Sequence, residues 1–292
     1  MEKKSEFNGV VLQLLKEIEK ENPKFKEFLI KKYKGLPCYP KLEEAVYNYG
    51  ITHSKIFAVT TSNPGTSLLT EFLYEGKPQS FPLDRYFLNC KGGKAIKSRL
   101  ITIEKKLPFI IEEYLKKKKK IVIGNLGSGP GRDIIDVLAK YYRNTDKIKA
   151  INIDRDKTSL DRGKRLAQIK GVAHLIEFVH ANFLRYKPKE KFDIALLIGV
   201  LCPLNVPTCI KYLKRIKKLL KRGGCVIVSN TTRRMLEEDP FTCFLMKWGA
   251  NWELVYKDEK DLKYIFEKAG YKWKEHFYEP YRFHIMGVGC TK

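Results

Sequence analysis

The chain has 292 residues, enough for one large domain or two ordinary ones, and its 43% apolar and 31% charged residues exclude a mainly disordered or collagen-like protein. Lys and Arg total 57 against 33 Asp and Glu, and the resulting formal charge of +24 is compatible with a nucleic-acid partner. Seven cysteines without a C-x-x-C pair exclude the common zinc-ribbon and thioredoxin patterns, and their scatter indicates a reducing compartment.

The first ninety residues are predicted to be mainly helical. Apolar residues recur at helical spacing in three stretches, residues 7–18, 25–33 and 42–49. After Gly50 the periodicity weakens and turn-forming residues become frequent. This region therefore predicts helices without a nameable motif.

A pair of glycines at positions 92 and 93 is the predicted domain boundary. We expect a helical N-terminal cap region at residues 1–92 and a second domain at residues 93–292. The second domain is predicted to begin with a helix over 94–106, and Pro108 is predicted to open another short helix.

From Ile121 onward, short apolar runs alternate with amphipathic helical stretches, which is typical of a parallel sheet covered by helices on both faces. Two extended runs flank Glu279-Pro280 and predict an antiparallel hairpin that completes the sheet. The predicted class is α/β, with a doubly wound, mostly parallel seven-stranded sheet and an antiparallel last strand. The predicted strands cover 121–123, 151–153, 175–179, 193–198, 225–229, 271–278 and 282–291, and the helices cover 133–142, 157–169, 207–221 and 261–268.

The most informative stretch is IVIGNLGSGPGRD, residues 121–133, in which a strand runs into three alternating glycines before a helix. Gly127, Gly129 and Gly131 let the backbone turn sharply and let a ligand approach it closely. The helix N-terminus offers free N–H groups to polar ligand atoms. Asp154 ends the next strand, where a carboxylate can accept hydrogen bonds from ribose hydroxyls. These features predict an adenosine-type cofactor at the carboxyl edge of the sheet.

The glycine spacing separates two cofactor classes. A nicotinamide-binding loop needs a third glycine at position 132, which is Arg here. The observed G-x-G-x-G, preceded by Asn125, resembles the first motif of the class I S-adenosylmethionine-dependent methyltransferases. The resemblance covers Lys94 to Lys292 in the family's order, through EFVHANF, FDIALLIGV, LLKRGGCVIVS and FEKAGY. It implies a Rossmann-like fold, a methyl-transferring enzyme, S-adenosylmethionine as cofactor and no metal.

The resemblance also implies which residues line the cofactor site. Asp154 matches the family's ribose-binding acid, and Asn182 stands where the family usually has an Asp near the adenine amino group. Asn125 and Asn182 replace carboxylates by amides, which predicts weaker cofactor binding rather than none. The implied cofactor-binding residues are Asn125, Gly127, Ser128, Gly129, Gly131, Asp154, Arg155, Asn182, Phe183 and Gly199.

The acceptor side carries fewer signals, and no catalytic residue is assigned. Cys202 is interpreted as a small buried thiol rather than a nucleophile. Arg233 and Arg234 are either a clamp for an anionic substrate or an exposed helix start. The aromatic stretch at 241–252 is interpreted as a core helix rather than a lid. Of the two histidines that flank the hairpin, His276 and His284, either one is a base near the site or both are structural.

The methyl acceptor stays open. A small molecule is favoured, with the helical region shaping its pocket, and RNA is the alternative, although only 13 of the 57 basic residues are Arg and no RNA-binding module is recognisable. Two other hypotheses are a related aminopropyl or aminocarboxypropyl transferase, similar to nicotianamine synthase, and a non-catalytic cofactor-binding module. Because no apolar run reaches the ~20 residues of a membrane span and no signal-peptide pattern begins the chain, we expect a cytoplasmic protein. Its oligomeric state is open.

Overall fold

The computed structural model describes residues 39–63, 66–78 and 81–292, with three isolated helical positions before them, Gln13, Lys16 and Lys20. Apart from Gln13 and Lys16, which are helical, the helical stretches predicted at 7–18 and 25–33 lie outside the described residues. Within the described ranges, no helix is both long and apolar enough to cross a lipid bilayer.

The described elements alternate between helices and strands from residue 121 onward, as predicted. In chain order they are α1 (Tyr39–His53), α2 (Lys55–Ser62), α3 (Ser67–Glu75), α4 (Asp84–Asn89), α5 (Lys91–Leu115), β1 (Ile121–Leu126), α6 (Arg132–Tyr141), β2 (Ile148–Asp154), α7 (Lys157–Ile169), β3 (Ile176–His180), β4 (Phe192–Leu197), α8 (Val206–Lys217), β5 (Leu220–Thr231), α9 (Arg233–Glu238), α10 (Pro240–Ala250), α11 (Glu259–Lys268), β6 (Lys272–Tyr278) and β7 (His284–Cys290). A short 3-10 turn, Ala173–Leu175, precedes β3.

The chain divides into two compact units, and the first is helical. It joins the N-terminal residues up to Ile96 to the segment 235–253. In this unit Phe57 and Leu245 are buried, and Phe241, Phe244 and Trp248 pack against them. The interpretation of this aromatic stretch as a core helix is therefore confirmed for α10. The division into 1–92 and 93–292 stays a prediction.

The second unit comprises residues 97–234 and 254–292 and contains the whole sheet. Its strand order is β3-β2-β1-β4-β5-β7-β6. Neighbouring strands from β3 to β5 are parallel, whereas β7 runs antiparallel to both β5 and β6. The predicted seven-stranded α/β sheet with its antiparallel last strand is confirmed. The order places the crossover between β1 and β4, and ligands of such sheets bind outside the carboxyl ends of the strands at this point.

Both faces of the sheet are covered by apolar layers. One layer joins sheet residues such as Ile123 and Met286 to helices α5 and α6, and the other joins residues such as Leu197 and Ile285 to α8 and α11. Strands buried on both faces read as continuous apolar runs rather than alternating ones, which is why β1 and β4 were recognisable in the sequence.

Helix α5 runs unbroken through the glycine pair at 92–93 and through Pro108, so the prediction of two helices was wrong. Proline removes one backbone donor from the helix ladder, a loss that usually ends a helix. Here Ile103, Leu107 and Ile111 are buried in the sheet-facing layer on both sides of the proline. Tertiary packing therefore outweighs the local preference.

Strand β5 begins earlier than predicted. It starts at Leu220 and passes through Gly223-Gly224, which the sequence assigned to the end of a helix. Pairing with β4 shifts register between Phe192 and Ile194, and Gly223 has a φ of +72°. The glycines therefore form an irregularity within a strand. Glycine is common both at such irregularities and at helix ends, and the sequence pattern does not distinguish the two.

Cys225 and Cys290 form a disulfide between β5 and β7. They are 65 residues apart and lie directly opposite each other in the antiparallel ladder. The sequence predicted only scattered thiols, because spacing does not show which residues a ladder will bring together. Among the described cysteines, the free ones are Cys90, Cys202, Cys209 and Cys243.

Candidate active site

The glycine loop joins β1 to α6 at the carboxyl edge of the sheet. Gly127, Gly129 and Gly131 have φ values of +63°, +53° and +77°, a left-handed conformation that strains any residue with a side chain. Helix α6 follows immediately, with Gly131 as its N-cap. The loop therefore contains three glycines in a left-handed conformation and is followed directly by a helix N-terminus, as the sequence predicted.

Asp154 is tied to this loop by its carboxylate. Oδ2 accepts a hydrogen bond from the Gly129 N–H at 2.7 Å, and Oδ1 accepts one from the Asp156 N–H at 2.8 Å. Each carboxylate oxygen has two lone pairs, so both can accept a further bond. The carboxylate is thus held in one orientation at the end of β2, beside the loop.

Asn125 and Asp133 form a buried polar pair beside the loop. Asn125 Nδ2 donates to Asp133 Oδ1 at 2.9 Å, which leaves the Asn125 carbonyl oxygen as the acceptor of that amide. Burial raises the pKa of the Asp133 carboxyl, an effect opposed by this bond and by the nearby Arg99 guanidinium. A carboxylate eight residues later is thus bonded to the amide that stands where the family's first motif usually has a carboxylate.

Arg99 is a residue that the sequence did not single out. It lies on α5, is 6% exposed and places its Nη1 within 3.6 Å of the point where a Cβ on Gly199 would lie. Gly199 follows β4, has a φ of +77° and donates its N–H to Ser229 Oγ at 2.8 Å. One buried guanidinium thus lies at the end of β4. The sequence did not single it out, because no local pattern distinguishes Arg99 from the other basic residues.

Side chains of the protein fill the space beside two of the loop glycines. A Cβ on Gly131 would lie 2.0 Å from Asn152 Nδ2, and a Cβ on Gly127 would lie 2.8 Å from Val200 and 3.7 Å from the Phe183 ring. Neither polar atom of the Asn152 side chain finds a hydrogen-bond partner among the residues that the structure describes. Glycine at 127 and 131 is therefore required by space as well as by conformation.

The other predicted site residues surround the ends of β2 and β3. Asn182 Oδ1 accepts the Leu184 N–H at 3.0 Å, and the Ser128 hydroxyl donates to its neighbour's carbonyl, Gly129 O, at 3.0 Å. The Arg155 carbonyl contacts a ring nitrogen of His180 at 2.8 Å. The structure thus collects all ten predicted residues along the carboxyl edge, at the ends of β1, β2, β3 and β4.

A family model described as a methyltransferase domain matches residues 116–270, more than half of the chain. The chain belongs to the class I S-adenosylmethionine-dependent methyltransferases. The match begins just before β1 and extends past α11, so it contains the glycine loop and the end of every parallel strand.

The methyltransferase also resembles individual proteins. It is 26% identical over 123 residues to cycloartenol-C-24-methyltransferase of Arabidopsis thaliana, and this match covers 39% of this chain and 36% of that protein. The chain thus matches little more than a third of the length of this relative. A possible exported protein from Bordetella parapertussis superposes with a TM-score of 0.66 at 16% identity, covering 99% of this chain and 96% of that one. Magnesium protoporphyrin IX methyltransferase from Synechocystis gives 0.58 at 13% identity, covering 84% and 100%. Both superpositions show the shared fold.

A buried lysine that the sequence did not single out lies near the ends of β4 and β5. Lys257 is 1% exposed, and its ammonium donates to Leu201 O, Val255 O and Asn230 Oδ1 at 3.1, 2.8 and 3.2 Å. Burial lowers the pKa of this ammonium. Its three acceptors come from the ends of β4 and β5 and from the segment before α11, so Lys257 fixes these segments to one another.

The β6–β7 turn contains a buried carboxylate. Glu279 accepts hydrogen bonds from the N–H groups of Tyr281, Phe283 and His284, at 2.7, 2.6 and 3.1 Å. Its Oε1 lies 3.9 Å from Nδ1 of His284, which is also buried. The sequence predicted the turn but not the contacts of Glu279, because these form only when the hairpin closes.

Arg233 does not form the predicted clamp. Its Nη1 contacts Asp258 and Asp261, both at 2.6 Å, and its side chain is half exposed at the start of α9. The two aspartates also cap α11, so the structure supports the alternative of a solvated helix start. Arg234 follows it at the start of α9. Cys202 is buried, in agreement with a packed thiol.

The residues that the structure describes contain no group of three or more His, Cys, Asp or Glu side chains with the geometry of a metal site. The candidate site lies at the carboxyl edge of the sheet. The glycine loop and Asp154 follow β1 and end β2, whereas Lys257 contacts the ends of β4 and β5, and Glu279 lies in the β6–β7 turn.

Proposed function

We propose that this protein transfers the methyl group of S-adenosylmethionine to a small-molecule acceptor. The observation that carries the proposal is the bond between the Asp154 carboxylate and the Gly129 N–H. It joins a ribose-binding type of carboxylate to the glycine loop at the crossover point of the sheet. The three loop glycines have left-handed φ values, and such a loop lets a ligand approach the backbone closely.

The polar groups of the site fit the two ends of this cofactor. Asp154 accepts hydrogen bonds from the ribose hydroxyls, and Asn182 and Phe183 lie on the adenine side. The Asn125 carbonyl oxygen, oriented by Asp133, accepts from the cofactor's amino group. Arg99 provides the positive charge for its carboxylate. S-adenosylmethionine, when bound, supplies a methyl group activated by the positive charge on sulfur.

The amide at position 125 does not make this site degenerate. An isolated Asn would only offer a weak neutral acceptor, but here a hydrogen bond to the buried Asp133 fixes the orientation of the amide. This arrangement supports an active enzyme over a non-catalytic binding module, because it holds an acceptor oxygen in place at the point where the family usually has a carboxylate.

A small acceptor is supported by the names of the related proteins. The Arabidopsis relative is named for cycloartenol and the Synechocystis neighbour for magnesium protoporphyrin IX, both small molecules. An anionic substrate was suggested by two residues, Arg233 and Arg234. Arg233 forms ion pairs with Asp258 and Asp261 instead. We therefore propose an acceptor that is bound without the Arg233 guanidinium.

Methyl transfer into fractionated host extract tests the proposal. Purified protein is incubated with methyl-labelled S-adenosylmethionine and extract, which is then separated into small molecules, RNA and protein. We expect label in the small-molecule fraction, dependent on Asp154. Label in RNase-sensitive material would instead support an RNA acceptor, and transfer of the cofactor's other carbon chain, detected with carboxyl-labelled cofactor, would support an aminocarboxypropyl transferase.

A further inference from the structure

Asn125 and Asp133 lie on the two elements that the glycine loop connects. Asn125 is near the end of β1, and Asp133 is in the first turn of α6. Because strand side chains alternate between the faces of a sheet, Asn125 shares the face of Ile121 and Ile123, which is the face that α6 covers. The hydrogen bond between the two side chains, 2.9 Å from Asn125 Nδ2 to Asp133 Oδ1, therefore joins the two ends of the loop.

The hydrogen bonds of this pair determine which of its oxygen atoms are left for a ligand. Asp133 Oδ1 accepts the Ile134 backbone N–H at 3.0 Å as well as the Asn125 side chain. Because Oδ1 acts as an acceptor, the part of the amide that faces it is the NH2 group. The pair therefore keeps two acceptor oxygens for a further donor, Asn125 Oδ1 and Asp133 Oδ2.

The carboxylate of Asp133 differs from that of Asp136 on the same helix. Asp136 contacts Arg132 at 3.2 Å and Lys170 at 2.6 Å. Among the residues that the structure describes, no basic side chain lies within 4.0 Å of the Asp133 carboxylate. Carboxylates that are removed from water are normally paired with a basic group. A cationic ligand would give Asp133 the partner that the neighbouring aspartate finds within the protein.

Opposing effects act on the charge of Asp133. Burial raises the pKa of its carboxyl, whereas the two hydrogen bonds and the Arg99 guanidinium lower it. The first turn of a helix also favours a negative charge through the helix dipole. A cation in contact with Oδ2 shifts this balance toward the ionised carboxylate, because an opposite charge nearby favours the charged form.

The methionine part of S-adenosylmethionine carries a cation of this kind. Its amino group is protonated at neutral pH and then has three N–H donors, as the ammonium of lysine has. The two oxygens left on the pair provide one neutral and one charged acceptor, and the bond to the charged one is about twice as strong. The charge that is missing at position 125, compared with the family's first motif, is thus present on the hydrogen-bonded neighbour.

We propose, on the basis of the proposed function, that Asp133 binds the ammonium group of S-adenosylmethionine and supplies the negative charge that Asn125 lacks. Asp133 binds the ammonium through Oδ2, and Asn125 binds it through its carbonyl oxygen while its NH2 group donates to Oδ1. The amide thus takes the position of the family's carboxylate, and the charge is moved to the first turn of α6.

The test exchanges the two side chains, because an amide and a carboxylate have nearly the same shape. Asp133→Asn removes the charge, and the double variant Asn125→Asp, Asp133→Asn moves it to position 125. Titration calorimetry with S-adenosylhomocysteine, which has the same amino group, measures binding, and the melting temperature of each variant is recorded. We expect binding to weaken about 30-fold in Asp133→Asn, through the loss of one charged hydrogen bond.

The double variant decides whether the charge itself is responsible. Its affinity is expected to lie within about threefold of wild type, and the control Asp161→Asn on α7 should bind as wild type does. A double variant as weak as Asp133→Asn overturns the assignment, and so does an Asp133→Asn variant that binds as wild type.

Methylthioadenosine separates recognition of the ammonium from a structural role of Asp133. This compound has the adenosine and the sulfur of the cofactor but neither the amino group nor the carboxylate. We expect Asp133→Asn to bind it as wild type does, and equal losses for both ligands overturn the assignment. A wild-type protein that binds neither ligand contradicts the proposed function, whereas binding of S-adenosylhomocysteine that does not depend on Asp133 contradicts this assignment alone.

A measurement on the wild-type protein keeps the test independent of the folding of the variants. Carbon NMR is expected to show a shift of the Asp133 side-chain carboxyl signal when S-adenosylhomocysteine is added, and little change with methylthioadenosine. A signal that does not respond to S-adenosylhomocysteine, or that responds equally to both ligands, overturns the assignment.

Discussion

Replacing Asp154 by Asn is expected to weaken the binding of S-adenosylmethionine by about two orders of magnitude. Both carboxylate oxygens already accept backbone N–H groups, from Gly129 at 2.7 Å and from Asp156 at 2.8 Å. An amide has only one acceptor atom, so its NH2 group would face one of these N–H donors. The substitution therefore disturbs the loop and also removes the charge that binds the ribose hydroxyls.

The magnitude follows from the hydrogen bonds that the charged carboxylate makes and the amide does not. A hydrogen bond to a charged group contributes about 1.5–3 kcal/mol, and the two ribose hydroxyls are proposed to bind this one carboxylate. A loss of about 3 kcal/mol corresponds to about 100-fold in the dissociation constant. Asp154→Ala is expected to give a similar loss, because the small side chain leaves both N–H groups to water.

Titration calorimetry with S-adenosylhomocysteine measures the effect directly. The control is Asp161→Asn on α7, an exposed aspartate whose carboxylate contacts Lys164 of the same helix at 3.3 Å. The control should bind as the wild type does. If folded Asp154→Asn also bound within threefold of wild type, Asp154 would not be the ribose ligand, and the proposed orientation of the cofactor would be wrong.

Three further predictions concern stability, each measured by urea unfolding. Gly131→Ala should destabilise the protein by at least ~1–2 kcal/mol from its left-handed φ alone, and the clash with Asn152 should add to this cost. The double variant Gly131→Ala, Asn152→Gly should recover only the cost of the clash. Lys257→Met should cost about 3 kcal/mol because three oxygens lose their donor; a cost below ~1 kcal/mol would contradict the assigned hydrogen bonds. Since the pKa of His284 is about 4 in the fold, below the usual ~6.5, the unfolded chain takes up the proton first as the pH falls. Stability should then drop between pH 6.5 and 4, by up to ~1.4 kcal/mol per pH unit, and His284→Gln should show a shallower slope over pH 5–6.5.

Local periodicity was sufficient to predict most of the sheet and its helices. Helix α7 has the predicted bounds, Lys157–Ile169, and the final hairpin pairs as expected. The apolar residues of these elements follow either the helical or the strand period but not both, and turn residues mark the ends of the elements. The local pattern predicted the wrong element at Pro108 and at Gly223. At Pro108 the helix continues because the apolar residues on both sides of the proline are buried. At Gly223 strand β5 continues through the glycines, with a register shift in its pairing with β4.

The candidate site was predictable only where it is local. The glycine loop and Asp154 are recognisable because the turn itself needs glycine and the carboxylate follows a strand. Arg99 and Lys257 were missed because each is one basic residue among 57, and only the fold shows that these two are buried. Glu279 was recognised as part of a turn, but its hydrogen bonds exist only in the closed hairpin.

The order of the strands separates the two tasks of the site. Asp154, Asn182 and the glycine loop belong to the half of the sheet made by β1, β2 and β3, whereas Lys257 contacts the ends of β4 and β5, and His284 begins β7. Both halves meet at the end of β4, where Gly199 and Leu201 lie, so effects of substitutions on ligand binding should add only where the residues share no contact at this strand end. A protein built in this way can change its acceptor during evolution while its cofactor half stays the same.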